Sequence, residues 1–221
     1  MVHEGDLTVS VDTNLGDITS VSGDLCVYGC ATLKVPRLTS VSGSLYAHGN
    51  ATLIAPQLTS IVGNLWVRGG ATLSVPNLVV VGGHLDMNQD STLSVQQLTS
   101  VNGNLYVYYG ATLTAPMLTS VYGYLRVSQD SALVAPHLMR VSGNLYMYDG
   151  ATLTAPLLTS AYGHPGCEIA RCPDEGYVLW LTSNGLYYAG CRRGFTREEA
   201  LAHWSGGTER AKLFTAAILN T

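Results

Sequence analysis

The chain repeats itself seven times without an insertion, from Ile18 to Leu157, and Leu25, Leu45, Leu65, Leu85, Leu105, Leu125 and Leu145 mark the equal steps. The stretch "NGNLYVYYGATLTAPMLTSV" at 102–121 returns at 142–161 as "SGNLYMYDGATLTAPLLTSA". A fixed short period of this kind marks a solenoid, in which one turn of chain buries its apolar side chains only by stacking on its neighbours. Too little chain separates successive Leu-x-Val phrases for a helix plus two turns. The coil must therefore consist of short strands and turns. Leu105 and Val107 alternate with Asn104, Tyr106 and Tyr108, a period of two with one buried face.

The remaining columns describe corners. Gly23, Gly43, Gly63, Gly83, Gly103, Gly123 and Gly143 precede each Leu-x-Val strand, where a corner needs either positive φ or close backbone approach. Proline closes the coil at 36, 56, 76, 116, 136 and 156, with Gln96 as the exception; a corner tolerates the missing donor. Equivalent residues stack about 4.8 Å apart, so seven coils predict a rod of roughly 34 Å.

Two segments frame the rod. "EGDLTVSVDTNLGD" predicts a shortened N-terminal coil over 1–17, since the step from Leu7 to Leu25 is two short of that from Leu25 to Leu45. Its acids, Glu4, Asp6, Asp12 and Asp17, are expected to discourage edge-to-edge stacking at the open end. With the full coils of 18–157 this gives a solenoid over 1–163. After it, "YVLWLTSNGLYYAGC" predicts a hairpin turning at Asn184-Gly185. "FTREEALAHW" predicts a helix with Thr196 as N-cap and Glu199 completing a capping box. "TERAKLFTAAIL" carries a helical stripe of Ala211, Phe214, Ala217 and Ile218. Residues 164–221 are thus expected to form a small α+β module that caps the last coil.

The phrase "LTSVxGNLYV…ATLxAPxLTSV", which runs through 18–157, resembles the strand phrase of the leucine-rich-repeat and receptor L-domain families. That resemblance implies an all-β, right-handed parallel β-solenoid with one long parallel sheet used as a binding face. The chain departs from the families by lacking the repeat asparagine, a secretion signal and paired cysteines. Near the C-terminus, "GLYYAGCRRGFTREEALAHW" resembles the tails of small bacteriophage and prophage accessory proteins. This implies a phage-encoded inhibitor of a host defence component.

Charge narrows the partners. Glu4, Asp6, Asp12 and Asp17 account for the whole net charge of −4, and acids balance bases in the remainder. A nucleic-acid binder needs a basic stripe, which this body lacks. No apolar run approaches the roughly 20 residues that span a bilayer, and "MVHEGDLTVSV" has no basic or apolar leader. Five cysteines at irregular spacing fit reduced thiols. The expectation is a soluble cytoplasmic protein with no membrane or nucleic-acid partner.

No catalytic constellation emerges. Asp24 and Asp86, the acids of the strand face, fall roughly 14 Å apart on the strand spacing, too far for paired-carboxylate chemistry. His48 and His84 have no acid or nucleophile at matching height. His164, Cys167, Cys172 and Cys191 are the right residue types for zinc but not at a zinc-site spacing, so they read as structural thiols. No cofactor or metal is implied. Two threonine columns, at Thr32 to Thr152 and at Thr19 to Thr159, resemble the faces of solenoid antifreeze proteins. Those faces pair two columns on one flat strand, whereas these two sit on different sides of the coil and are expected to satisfy corner backbone groups.

The letters that change between coils form two columns on the strand face. One reads Cys26, Tyr46, Trp66, Asp86, Tyr106, Arg126, Tyr146; the other Tyr28, His48, Arg68, Asn88, Tyr108, Ser128, Tyr148. Tyr, Trp and Arg are the residues of binding hot spots. These columns predict a non-catalytic protein-binding face, with Tyr46, His48, Trp66, Arg68, Asp86, Tyr106, Tyr108, Arg126, Tyr146 and Tyr148 as its residues. Asp86, framed by Trp66 and Tyr106, would meet a basic side chain of the partner. Carbohydrate recognition by the aromatic rows is the alternative.

Overall fold

In the computed structural model, residues 1–147, 150–158, 160–162, 167–171, 178–181, 187–189 and 195–219 are described. Each coil has three strands on three sides, such as Ser100–Val101, Leu105–Val107 and Thr112–Thr114. Every strand pairs in parallel with its counterpart one coil away, as in Ser100↔Ser120, Leu105↔Leu125 and Leu113↔Leu133. We call these sides the first, second and third faces. The third is an eight-stranded sheet of its own, while the first and second join because Arg140–Met147 runs through both. The fold is thus a parallel β-solenoid of about eight coils. It departs from the single long sheet that the leucine-rich-repeat resemblance implies, because each coil is spent on three short strands and their corners, with no helix.

One coil shows how the core is filled. Val101, Leu105, Val107, Ala111, Leu113, Ala115 and Leu118 are all fully buried. They converge from three sides and stack on identical or similar residues above and below. The ladder of apolar contacts, rather than any one coil, is the stable unit.

The corner glycines are required by close approach. None of the column from Gly23 to Gly143 has positive φ. A Cβ on Gly103 would lie 2.7 Å from both the carbonyl carbon and oxygen of Gly83. Positive φ appears instead at the corner between the second and third faces, for example at Gln89 (55°) and Asp90 (56°), or Tyr109 (53°) and Gly110 (75°). Two successive left-handed residues make a primed-type turn, which accounts for the Gly, Asn and Asp that accumulate there.

Beside the glycines runs a side-chain ladder that the repeat spells as "G-[DSNH]-L". The backbone amides of Ser44, Asn64, His84, Asn104 and Tyr124 donate to the side chains of Asp24, Ser44, Asn64, His84 and Asn104 at 2.7, 3.0, 2.7, 2.8 and 2.8 Å. Each corner amide is thereby satisfied by the coil before it. The ladder stops at the exposed Tyr124, and in the next coil the chain runs straight through this corner as Arg140–Met147. The threonine column of the first face does what its position predicts. Thr39, Thr59, Thr99 and Thr119 donate their hydroxyls to backbone carbonyls one coil back at 2.9 to 3.1 Å.

At the N-terminus Leu7 pairs with Leu25 and Val9 with Val27, but Thr13 pairs with Leu33. The first coil therefore falls two positions short between Val9 and Thr13. The acids there have defined work. Asp6 and Asp12 accept the amides of Asp24 and Thr32, each at 2.8 Å, and so form the first rungs against the second coil.

Beyond the solenoid, Cys167–Arg171, Val178–Leu181 and Tyr187–Ala189 form an antiparallel sheet. The last two strands are the expected hairpin, and Asn184-Gly185 lies outside the described residues. The strand Cys167–Arg171 has no alternating pattern and no sequence signal. Helix α1 (Arg197–His203) carries the complete Thr196/Glu199 capping box. Helix α2 (Glu209–Leu219) buries Ala211, Phe214 and Ile218, with Phe214 edge-on to Trp204 at 5.7 Å. Among the described residues this second core shares none with that of the solenoid.

Candidate functional site

The second face assembles the first variable column in register: Trp66 lies between Tyr46 and Asp86, and Tyr106 between Asp86 and Arg126, which neighbours Tyr146. Its side chains are held in place. Tyr46 and Trp66 stack with ring centroids 4.2 Å apart and planes 21° apart. Asn104 and Asn144 donate through Nδ2 to the hydroxyls of Tyr106 and Tyr146 at 2.7 and 2.6 Å. Asn104 thus caps the next coil with its oxygen and fixes a tyrosine with its nitrogen, which is why "GNLY" recurs as a unit.

The second column divides. His48 and Arg68 are exposed and Tyr108 is half-buried. Asn88 and Ser128 are buried, both in coils whose corner reads Gln-Asp and whose inward alanine is replaced by serine, Ser91 or Ser131. Tyr148 lies outside the described residues.

Asp86 differs most from expectation. Only 8% exposed, it accepts from Arg68 Nη2 at 3.2 Å, Asn88 Nδ2 at 3.2 Å and the Tyr108 hydroxyl at 2.9 Å. Its carboxylate is committed within the protein rather than offered to a basic partner. It orients the guanidinium of Arg68 and the ring of Tyr108, which face outward on either side of it.

Around this network the surface is concave. A cleft of about 770 Å³ is lined by Tyr46, His48, Trp66, Arg68, Asn88 and Tyr108 together with Gln89 and Tyr109. A second hollow of about 360 Å³, lined by Asp86, Tyr106, Arg126 and Gln129, shares Tyr108 and Tyr109 with it. The two form one groove along the second face. Gln89, Tyr109 and Gln129 were not legible as site residues from the strand alternation. Their left-handed corner brings them beside the strands, and the two-residue turn signature is the signal that marks them.

Burial pushes the Tyr108 hydroxyl above its ordinary range, the Asn88 hydrogen bond opposes this, and the neighbouring Asp86 charge adds to the rise. A tyrosine raised in the folded state contributes stability that is intact below its unfolded value near 10 and is lost as pH rises through the folded value. Urea midpoints measured across pH 9 to 11 should therefore fall, and part of that fall should be missing in Tyr108→Phe. Equal pH profiles for the two proteins would contradict the raised Tyr108 hydroxyl.

Of the groups weighed for catalysis, Asp24 and His84 have backbone partners as rungs of the corner ladder, with His84 accepting through Nδ1, while Asp86 is bonded to side chains and His48 stacks on Tyr28. Among the described residues no three His, Cys, Asp or Glu side chains gather where a metal could bind. His164, Cys172 and Cys191 lie outside them, and Cys167 sits on the first strand of the C-terminal sheet. No helix of the described residues is long and apolar enough to cross a membrane. Compared with protein-family models, curated proteins and solved structures, the chain matches none.

Proposed function

We propose that the protein is a non-catalytic interaction protein that binds a protein partner in the groove of the second face. The observation that carries this reading is the immobilised aromatic–arginine surface around Asp86. Stacked Tyr46 and Trp66, Tyr106 held by Asn104, and Arg68 held by Asp86 are set before any partner arrives. A surface fixed in advance loses little side-chain entropy on association. Aromatic and arginine residues are the usual anchors of such contacts. Asp86 holds these anchors in place from the wall of the groove. The tail's resemblance to phage accessory proteins makes a bacterial defence component the partner class to try first.

The test is capture from bacterial lysate with the intact chain, followed by affinity measurement on the double variant Trp66→Ala, Tyr106→Ala. Binding should weaken by at least about 2 kcal/mol, the hot-spot scale, while the circular dichroism spectrum stays that of the native protein. A folded double variant that binds as tightly as wild type would remove the second face from consideration. Carbohydrate recognition predicts instead a signal on a glycan array that the same double variant abolishes.

A further inference from the structure

The two threonine columns of the solenoid have different fates. On the first face the hydroxyls are consumed by backbone carbonyls. On the third face none of the hydroxyls of Thr52, Thr72, Thr92, Thr112 and Thr152 has a protein partner among the described residues. The third-face strands also carry a second outward position that the one-column view omits. In Thr72–Ser74, Thr92–Ser94, Thr112–Thr114 and Thr152–Thr154 the central leucine points inward and both flanking hydroxyl residues point out; of these hydroxyls Ser94 accepts from Gln96 Nε2 at 2.8 Å. Thr52–Ile54 and Ala132–Val134 continue the same two columns with methyl groups. These two outward columns share one strand, whereas the columns at Thr32 to Thr152 and at Thr19 to Thr119 lie on different sides of the coil, as their sequence positions predict.

We propose that this third face binds ice. Its pairings run in strict register from one coil to the next, Thr92↔Thr112 and Ser94↔Thr114 among them. The outward groups thus lie on a rectangular grid of about 4.8 Å along the rod and about 6.6 Å along the strand. Oxygen positions on a prism face of ice repeat on a grid of comparable dimensions. The hydroxyls anchor water on that grid, and the methyls between them hold further water in an ordered cage. Composition speaks against the other occupants of a flat face. From residue 52 to residue 154 the outward positions hold no charge and no aromatic ring, and Lys34 on the adjoining coil is a single cation, so phosphates find no cluster of positive charge. A protein partner finds no hot-spot residue, and sugars find no stacking platform.

The experiment uses the full chain in a nanolitre osmometer and an ice-recrystallisation assay. Wild type should open a gap between freezing and melting points, shape the ice crystals and keep their grains small. Thr112→Tyr, in the middle of the grid, should lose most of this effect, as should Ser74→Lys at an exposed position nearer the N-terminus. Trp66→Ala, Tyr106→Ala should retain it, because those residues lie on the second face; loss of partner binding and loss of ice activity are thus separable. The proposal is overturned if wild type leaves the freezing point and grain size unchanged, or if folded Thr112→Tyr and Ser74→Lys are both as active as wild type. It is equally overturned if light scattering shows a dimer that Thr112→Tyr dissociates, since the third face would then be covered by a second copy.

Discussion

Removing residues 98–117 should leave a soluble protein that unfolds cooperatively, one coil shorter than before. Gln97 would then join Leu118, and every position downstream would keep its column: Leu125 would stack on Leu85 and Gly123 on Gly83, as Leu105 and Gly103 do now. Each coil touches only its neighbours, so stability should fall by about one coil's share rather than collapse. Removing half as much, 98–107, should abolish folding. That deletion joins Gln97 to Tyr108 and takes away one first-face and one second-face strand. The inward residues Val101, Leu105 and Val107 go with them, leaving a gap that neighbouring coils cannot close. Circular dichroism and urea denaturation distinguish the outcomes. Two deletions that behave alike would show that register along the rod does not govern this fold.

A single methyl group should have an effect nearly as large. Gly103→Ala places a Cβ 2.7 Å from the carbonyl carbon and oxygen of Gly83, beside the imidazole of His84. Backbone on both sides of this contact is tied into parallel ladders, so the coils must separate to admit it. The cost should reach about 3 kcal/mol, the upper end for overpacking. The separation would also stretch the Asn104 amide bond to His84. Gly16→Ala is the internal control. Nothing lies within 4 Å of its Cβ and its φ is not positive, so its change should stay within about 0.5 kcal/mol. Equal denaturation midpoints for the two variants would contradict close approach as the reason for the glycine column.

Much of the fold was legible because a solenoid translates sequence period directly into space. The constant step of the repeat places Leu105 over Leu85, and the alternation of Leu105, Tyr106 and Val107 already separates core from surface. The same logic found the first variable column, since Tyr46, Trp66, Asp86, Tyr106, Arg126 and Tyr146 do lie side by side on one face. The capping box at Thr196 and Glu199 was equally local, two hydrogen bonds within one helical turn.

What the columns could not show is which way a side chain turns once its neighbours in adjacent coils are present. Asp86 occupies an outward strand position, yet Arg68 from the coil before and Tyr108 from the coil after close over its carboxylate. Asn88 and Ser128 are drawn inward at corners whose left-handed geometry no alternation rule describes. The third face gives the same lesson. Both threonine columns look alike in sequence, but only the tertiary structure separates hydroxyls bonded to backbone carbonyls from hydroxyls facing water. Period and alternation are properties of the chain taken one residue at a time and follow from the sequence alone. Burial, hydrogen-bond partnership and the choice of face depend on atoms a full coil away along the chain, and stacking of the coils decides them.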